Sequence, residues 1–280
     1  QAIDTETPMV VLINNRTASA AEIVAGVLQD YDRAVIMGQK SFGKGLVQVT
    51  RDLPYRTKMK ITTAKYYIPS GRCIQALDYK NKNADGTAKA FQDSSAKVFH
   101  TQNGRKVVDG GGILPDQLIQ KNPLSVFAQA LLAKDMLFLF ASEFHGAHIN
   151  IARAESFAVD ADILEQFNAW LAKSNFSYEA PVENQVKKLL EQTRDQAEYD
   201  EFQQLLQSQT THWKTNLARE LKLHAMEITP LLEQEMIMHY YLQKGLNTWS
   251  TRKDPSILSA IDLLGKPSKF ATLLSRQEKP

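Results

Sequence analysis

The chain opens on an unbroken apolar run, Met9-Val10-Val11-Leu12-Ile13, whose length and β-branched content predict a short buried strand. The polar stretch Asn14-Asn15-Arg16-Thr17 reads as a turn. Beyond it Ile23, Val24, Val27 and Leu28 recur at helical spacing and predict a helix over residues 20–31. Ala34 to Met37 is a second apolar strand, ended by Gly38. Leu46 to Thr50 and Lys58 to Tyr67 read as further strands, and Pro69-Ser70-Gly71-Arg72 as a turn. Val98 to Val108 reads as a hairpin around Asn103-Gly104, a dipeptide that tolerates positive φ at both turn positions.

The pattern changes near residue 120, between the Gly110-Gly111-Gly112 and Pro115 cluster and Pro123. Helical spacing then dominates, first at Phe127, Leu131, Leu132 and Phe138, later at Val186, Leu189, Leu190, Phe202, Leu205 and Leu206. Thr229-Pro230 and Asp254-Pro255 carry the N-cap and first-turn proline signal, and Gly245 and Gly265 are expected helix stops. The expected organisation is an α/β domain over residues 1–120 and an all-α helical domain over residues 121–280.

Composition changes this picture little. At 280 residues, 43% hydrophobic and 23% charged, the chain is an ordinary globular sequence long enough for two domains. A net charge of +2 gives no warrant for a nucleic acid partner or an anionic membrane. The single cysteine, Cys73, permits no internal disulfide, and with no histidine near it in sequence it reads as a packed thiol. No run reaches the roughly 18 apolar residues that a membrane-spanning helix needs.

Two segments offer chemistry. In Thr17-Ala18-Ser19-Ala20-Ala21-Glu22 the serine stands where the first helix begins. Ser-x-x-Glu is a capping box, with the hydroxyl on the Glu22 N–H and the Glu22 carboxylate reaching back. The same geometry suits a nucleophile, because backbone N–H groups and the positive helix end can stabilise an oxyanion. In Ser41-Phe42-Gly43-Lys44-Gly45-Leu46-Val47-Gln48 a lysine lies between two glycines. It is either a solvated turn lysine or a general base. A serine nucleophile needs a neutral base, and that role predicts burial of Lys44 against Phe42, Leu46 and Val47, with Gln48 orienting the amine. Gly38 to Lys44 also fits G-x-x-x-x-G-K of a phosphate-binding loop, but Gly45 replaces the expected Ser or Thr and a strand replaces the expected helix. His145-x-x-His148 lacks a third metal ligand at suitable spacing, and Asp109-Gly110-Gly111-Gly112 reads as a loop rather than an anion nest.

Taken in order, the Thr17–Glu22 segment, Leu28-Gln29-Asp30-Tyr31-Asp32-Arg33-Ala34, the Phe42–Gln48 segment, Thr62 to Gln75 and Gly112-Ile113-Leu114-Pro115-Asp116 resemble the C-terminal processing peptidases, or tail-specific proteases. The resemblance covers residues 8–117, and the later region is similar to longer members from Bacteroidetes-type bacteria. It implies the second half of a crotonase-like α/β peptidase core followed by the helical domain. It further implies Ser19 as nucleophile, Lys44 as base, Gln48 as the residue that supports the lysine, and the Ala20 N–H as part of the oxyanion hole. Asp30 matches an aspartate important in some members, or else is a structural carboxylate at the helix end. The implied activity is cleavage of proteins near their C-termini through an acyl-enzyme, with no metal and no cofactor, in the bacterial periplasm or cell envelope. The family places a PDZ domain and the first half of the catalytic domain upstream of Met9. Pairing with that half, or self-association, is therefore expected. The alternative function is a truncated, inactive module that binds a partner.

Overall fold

The structure is a computed structural model that describes residues 4–90, 97–120, 123–178, 180–192 and 217–275. The helical pattern at Phe202, Leu205 and Leu206 lies outside these residues. The described strands are β1 (Val10–Ile13), β2 (Val35–Gly38), β3 (Leu46–Asp52), β4 (Lys58–Lys65), β5 (Leu77–Lys82), β6 (Ala88–Ala90), β7 (Val98–His100), β8 (Lys106–Val108) and β9 (Gln117–Leu118). The described helices, in chain order, are α1 (Ala20–Asp30), α2 (Val126–Ala133), α3 (Met136–Ala147), α4 (Ala161–Lys173), α5 (Pro181–Gln192), α6 (Leu217–Leu223), α7 (Ala225–Lys253), α8 (Pro255–Leu264) and α9 (Pro267–Leu274). Contacts divide the chain into two compact units. One holds the described residues up to 120 and from 254 onward, and the other those from 123 to 253.

The first unit is built on a parallel three-stranded sheet of order β1-β2-β9, with Val10 opposite Val35 and Met37 opposite Gln117. β2 explains its unbroken apolar sequence: it is buried on both faces, as parallel strands are. Ala34 and Ile36 pack with Ile13, Ala25, Ile68, Ile74 and Ile113 on the α1 side. Val35 and Met37 pack with Ala260 and Leu263 of α8, joined by Val10, Ile119, Phe270, Leu273 and Leu274. Helices α8 and α9, within the stretch read as helical from 121 to 280, thus cover the second face of this sheet. An amphipathic pattern reports that a helix has a buried face, not what covers it. Three antiparallel hairpins, β3–β4, β5–β6 and β7–β8, complete the described strands. The β7–β8 turn carries Gly104 at φ 81°, as Asn103-Gly104 predicts.

The second unit is helical, with a core of Phe127, Leu131, Phe140, Phe167, Leu171, Ile228, Leu232 and Met236 among others. Three sequence expectations change here. The first helical pattern, Phe127, Leu131, Leu132 and Phe138, is carried by two helices, parted at Lys134 and at Asp135, which adopts φ 55°. Pro230 does not start a helix but lies inside α7. Its missing N–H would leave the Met226 carbonyl without a donor, and water can reach that turn because Met226 is 94% exposed. Gly245 is no stop either; it is buried within α7, and the irregular backbone sits at Leu242 instead. Asp254 caps α8 as expected, its carboxylate accepting from the Ser256 N–H at 2.7 Å ahead of Pro255.

The packing of α8 on β2 can be checked by a double-mutant cycle. Met37→Ala and Leu263→Ala should each cost about 2–5 kcal/mol in urea unfolding. Their effects should couple by about 0.5–3 kcal/mol because the two side chains share one cluster. Strict additivity would show that α8 does not rest on the sheet.

Candidate active site

Ser19 closes the turn after β1 and opens α1. Its backbone adopts φ 60° and ψ −125°, a conformation that favours glycine and that other residues hold only where their surroundings enforce it. The serine of a nucleophile elbow sits in the same kind of strained strand-to-helix turn. The capping geometry is partly as predicted. The Ser19 N–H donates to Glu22 Oε2 at 2.9 Å. The Glu22 N–H meets the Ser19 carbonyl at 2.9 Å, and the hydroxyl, within capping-box reach of that N–H, makes no cap bond of its own. Ala20 is the first helical residue, and its N–H has no hydrogen-bond partner among the described residues.

Glu22 does more than cap. Its side chain is fully buried. Oε1 accepts from the Ser41 hydroxyl at 2.5 Å and the Gly43 N–H at 2.6 Å, and Oε2 accepts from the Lys44 N–H at 2.8 Å as well as from Ser19. One carboxylate oxygen therefore holds the backbone nitrogens of Ser19 and Lys44. They can be no farther apart than those two bond lengths combined. The loop that resembles a phosphate cradle turns its amides to this internal anion and then enters β3, not a helix, so the nucleotide-binding reading falls.

The glycines around Lys44 have a packing reason. A Cβ on Gly43, at φ 85°, would lie 2.2 Å from Ala76 Cβ, and one on Gly45 would lie 2.7 Å from the Gln75 nitrogen. The loop is pressed flat against residues 74–76, where Gln75 Oε1 accepts from the Gly45 N–H at 2.8 Å and the Ala76 N–H donates to the Gly43 carbonyl at 2.9 Å. Between two buried glycines the Lys44 side chain is exposed. The expected burial against Phe42 is not found, since Phe42 is itself 54% exposed and turns away from the core. Gln48 lies on the exposed face of β3 and donates to Thr62 Oγ1 at 3.3 Å, so it makes its bond to the hairpin partner rather than to the lysine.

Asp30 stands at the other end of α1. Eleven helical residues separate it from the serine by about 16 Å at 1.5 Å per residue. Its carboxylate is buried against the Arg72 guanidinium at 2.9 Å and accepts from the Ser70 N–H at 2.9 Å. Burial pushes Arg72 below its ordinary value, while the neighbouring Asp30 opposes that shift. Arg105 continues the network to Asp32 and Asp116, each at 2.6 Å, and Gln29 joins Arg72 to Asp116. Asp30 thus takes part in a buried ion pair that ties the end of α1 to Arg72 and Ser70. In the second unit His148 stacks on Phe144 and His145 packs edge-on to Tyr240. Loop 109–112 pairs with residues 73–74 through the Gly110 and Gly112 N–H groups.

Residues 1–81 match the profile of "Peptidase family S41", and residues 127–264 match "Probable PDZ-protease, C-terminal helical domain". The first matched segment, residues 1–81, is similar to the S41 peptidases. It is 54% identical over 72 residues to a carboxy-terminal-processing protease of Bartonella bacilliformis, covering 26% of this chain and 17% of that protein. It is 54% identical over 73 residues to one of Picosynechococcus, covering 26% and 18%. A carboxyl-terminal-processing protease of Synechocystis is 32% identical over 152 residues, or 54% and 27% of the two chains. The matched parts span less than a third of each relative's length. Superposed on the solved photosystem II D1 C-terminal processing protease, this chain aligns over 42% of its own length and 22% of the other at 31% identity, with a TM-score of 0.30 that carries no weight for the fold.

Sequence reasoning named the residues of the turn but not the carboxylate that joins them. The capping box signalled Glu22, while its bonds to Ser41, Gly43 and Lys44 are made across about 20 residues and leave no local trace. Glu22→Ala should remove an acceptor shared by four donors and cost more than about 3 kcal/mol in chemical denaturation. Glu22→Gln should recover little, because either amide orientation turns an NH₂ toward backbone N–H groups. For Asp30, the Ala variant should lose about 3–5 kcal/mol by leaving Arg72 unpaired, and adding Arg72→Met should restore much of it. A double variant no more stable than Asp30→Ala would sink the ion-pair account.

Proposed function

We propose that this protein is a serine endopeptidase that cleaves proteins near their C-termini, with Ser19 as nucleophile and Lys44 as general base. The observation that carries the reading is the strained serine at the start of α1, bound through one buried carboxylate oxygen to the backbone of Lys44. Strain of this kind at a polar residue is characteristic of functional turns. The family match supports the same chemistry.

Ser19 Oγ attacks the scissile carbonyl while its proton passes to the neutral Lys44 amine. The carbonyl oxygen becomes an oxyanion and takes the unpartnered Ala20 N–H at the helix end, where the dipole favours negative charge. Lys44 then gives its proton to the departing amine, which leaves an acyl-enzyme on Ser19. Water, deprotonated by the same amine, releases the acyl group and restores the serine. Because Lys44 is exposed in this chain, the water that hydrates its amine must be displaced by whatever covers the site, substrate included. In this reading Gln48, two residues into β3 from Leu46, exchanges its bond to Thr62 for the amine when the Lys44 side chain folds over the strand. The reading includes a crotonase-like core completed by a further polypeptide segment, unfolded protein substrates, and a location in the bacterial periplasm or envelope.

In the full-length protein, Ser19→Ala should abolish cleavage and labelling by a fluorophosphonate probe while leaving the fold intact. The lost hydroxyl costs at most about 0.5–2 kcal/mol even as a cap. Lys44→Arg should be nearly as damaging as Lys44→Ala, because a guanidinium stays protonated. Wild-type turnover by either the Ser19→Ala or the Lys44→Arg variant would falsify the dyad.

A further inference from the structure

The β3–β4 hairpin leaves the site directly, since β3 begins at Leu46, two residues after Lys44. Every residue from Thr50 through Lys60 is exposed. Cross-strand pairing sorts the side chains into two faces. Gln48 with Thr62, Thr50 with Lys60 and Asp52 with Lys58 lie on one face; Val49 with Ile61 and Arg51 with Met59 lie on the other. The first face is a polar track that starts at Gln48 and runs to the tip at residues 53–57.

The charge along this arm has one sign. Residues 46–65 contain Arg51, Arg56, Lys58, Lys60 and Lys65 against a single acid, Asp52. Asp52 pairs with Lys58 at 3.2 Å, while Arg51, Arg56, Lys60 and Lys65 have no ion pair among the described residues. Tyr55 at the tip is 97% exposed. The charge is local to the arm, because the whole chain carries only +2. Like charges crowded on a two-stranded hairpin weaken an element that is already marginal in water, so a ligand of opposite sign suits it.

We propose that the arm reads the substrate, taking an extended, acid-bearing stretch of polypeptide that runs from the scissile bond outward along the Gln48–Lys60 face. This rests on the peptidase reading of Ser19 and Lys44. It goes beyond that reading by naming the substrate feature and the register. Thr50, the partner of Lys60, is six residues from Lys44, or about 20 Å at the rise of a strand. An extended substrate advances at the same rate. An acidic side chain about six residues from the cleaved bond therefore meets Lys60, and one two or three residues farther meets Arg56.

The test uses the full-length protein and paired peptides that carry Asp-Asp, or the isosteric Asn-Asn, at a varied distance on either side of the cleaved bond. The wild type should prefer the acidic member by about fivefold in kcat/KM. The preference should peak about six to eight residues from the bond, mainly through KM. It should vanish in about 0.5 M salt, where screening shortens the reach of exposed charges to a few ångströms. In R56E/K60E it should disappear or invert. Because the readout is a ratio within each enzyme, a change in overall rate does not affect it. A ratio near one in the wild type, or an equal ratio in both enzymes, overturns the proposal. So does a double variant that loses retention on phosphatidylglycerol vesicles with its ratio intact, which would assign the arm to a membrane surface. Fluorophosphonate labelling of Ser19 in the same samples separates the two claims. Labelling with cleavage but no acid preference removes the arm's role alone, and no labelling with no cleavage removes the peptidase reading as well.

Discussion

The buried carboxylate of Glu22 joins the parts of the candidate site. It occupies the third position of α1, where the positive helix end favours an anion. It spends that position on the loop after β2 as well as on its own helix, accepting from Ser19, Ser41, Gly43 and Lys44. Four donors compensate a charge that would otherwise be costly so far from water. The turn holding the serine and the loop holding the lysine are thereby joined through one side chain. Ser41 extends the link, since its Oγ accepts from the Ile113 N–H at 2.7 Å and so reaches the segment leading into β9.

The far end of α1 is fixed by a different device. Gln29 and Asp30 are buried with Arg72, Arg105 and Asp116, and Asp116 also accepts from the Ile36 N–H of β2 at 2.8 Å. Each guanidinium bonds several acceptors from a rigid planar fork, whereas a lysine ammonium presents its three donors from a single point. Between these polar ends the helix packs through Ile23, Ala25, Val27 and Leu28 on the sheet. A strained serine needs such a support, because the cost of its backbone must be borne by contacts that leave no easier arrangement.

Chemistry and scaffold are separated in space. Gly43 and Gly45 are buried while Lys44 between them is exposed, and the strand that continues from the loop carries its polar face into solvent. The glycines let the backbone lie against residues 74–76 and leave the lysine side chain free to meet a partner. Rigid backbone with accessible side chains is the usual division between a scaffold and the loops that act on ligands.

The local pattern alone determined much of this protein. β1, α1, β2, the strands β3 and β4 and the β7–β8 hairpin follow from apolar and β-rich runs, helical spacing and Asn103-Gly104, because each depends on neighbours a few residues away. The serine at the helix start and the lysine between glycines were legible for the same reason. Tertiary structure decided what those residues touch. β9, two residues long, exists only because β2 offers it an edge, and helices α8 and α9 cover the second face of that sheet from the distant end of the chain. Asp30 became half of a buried ion pair, Gln48 bonded Thr62, Lys44 stayed exposed, and Glu22 gathered four donors. These outcomes depend on contacts between segments far apart in sequence, and periodicity and spacing carry no record of which distant group will fill a residue's hydrogen bonds or cover its face.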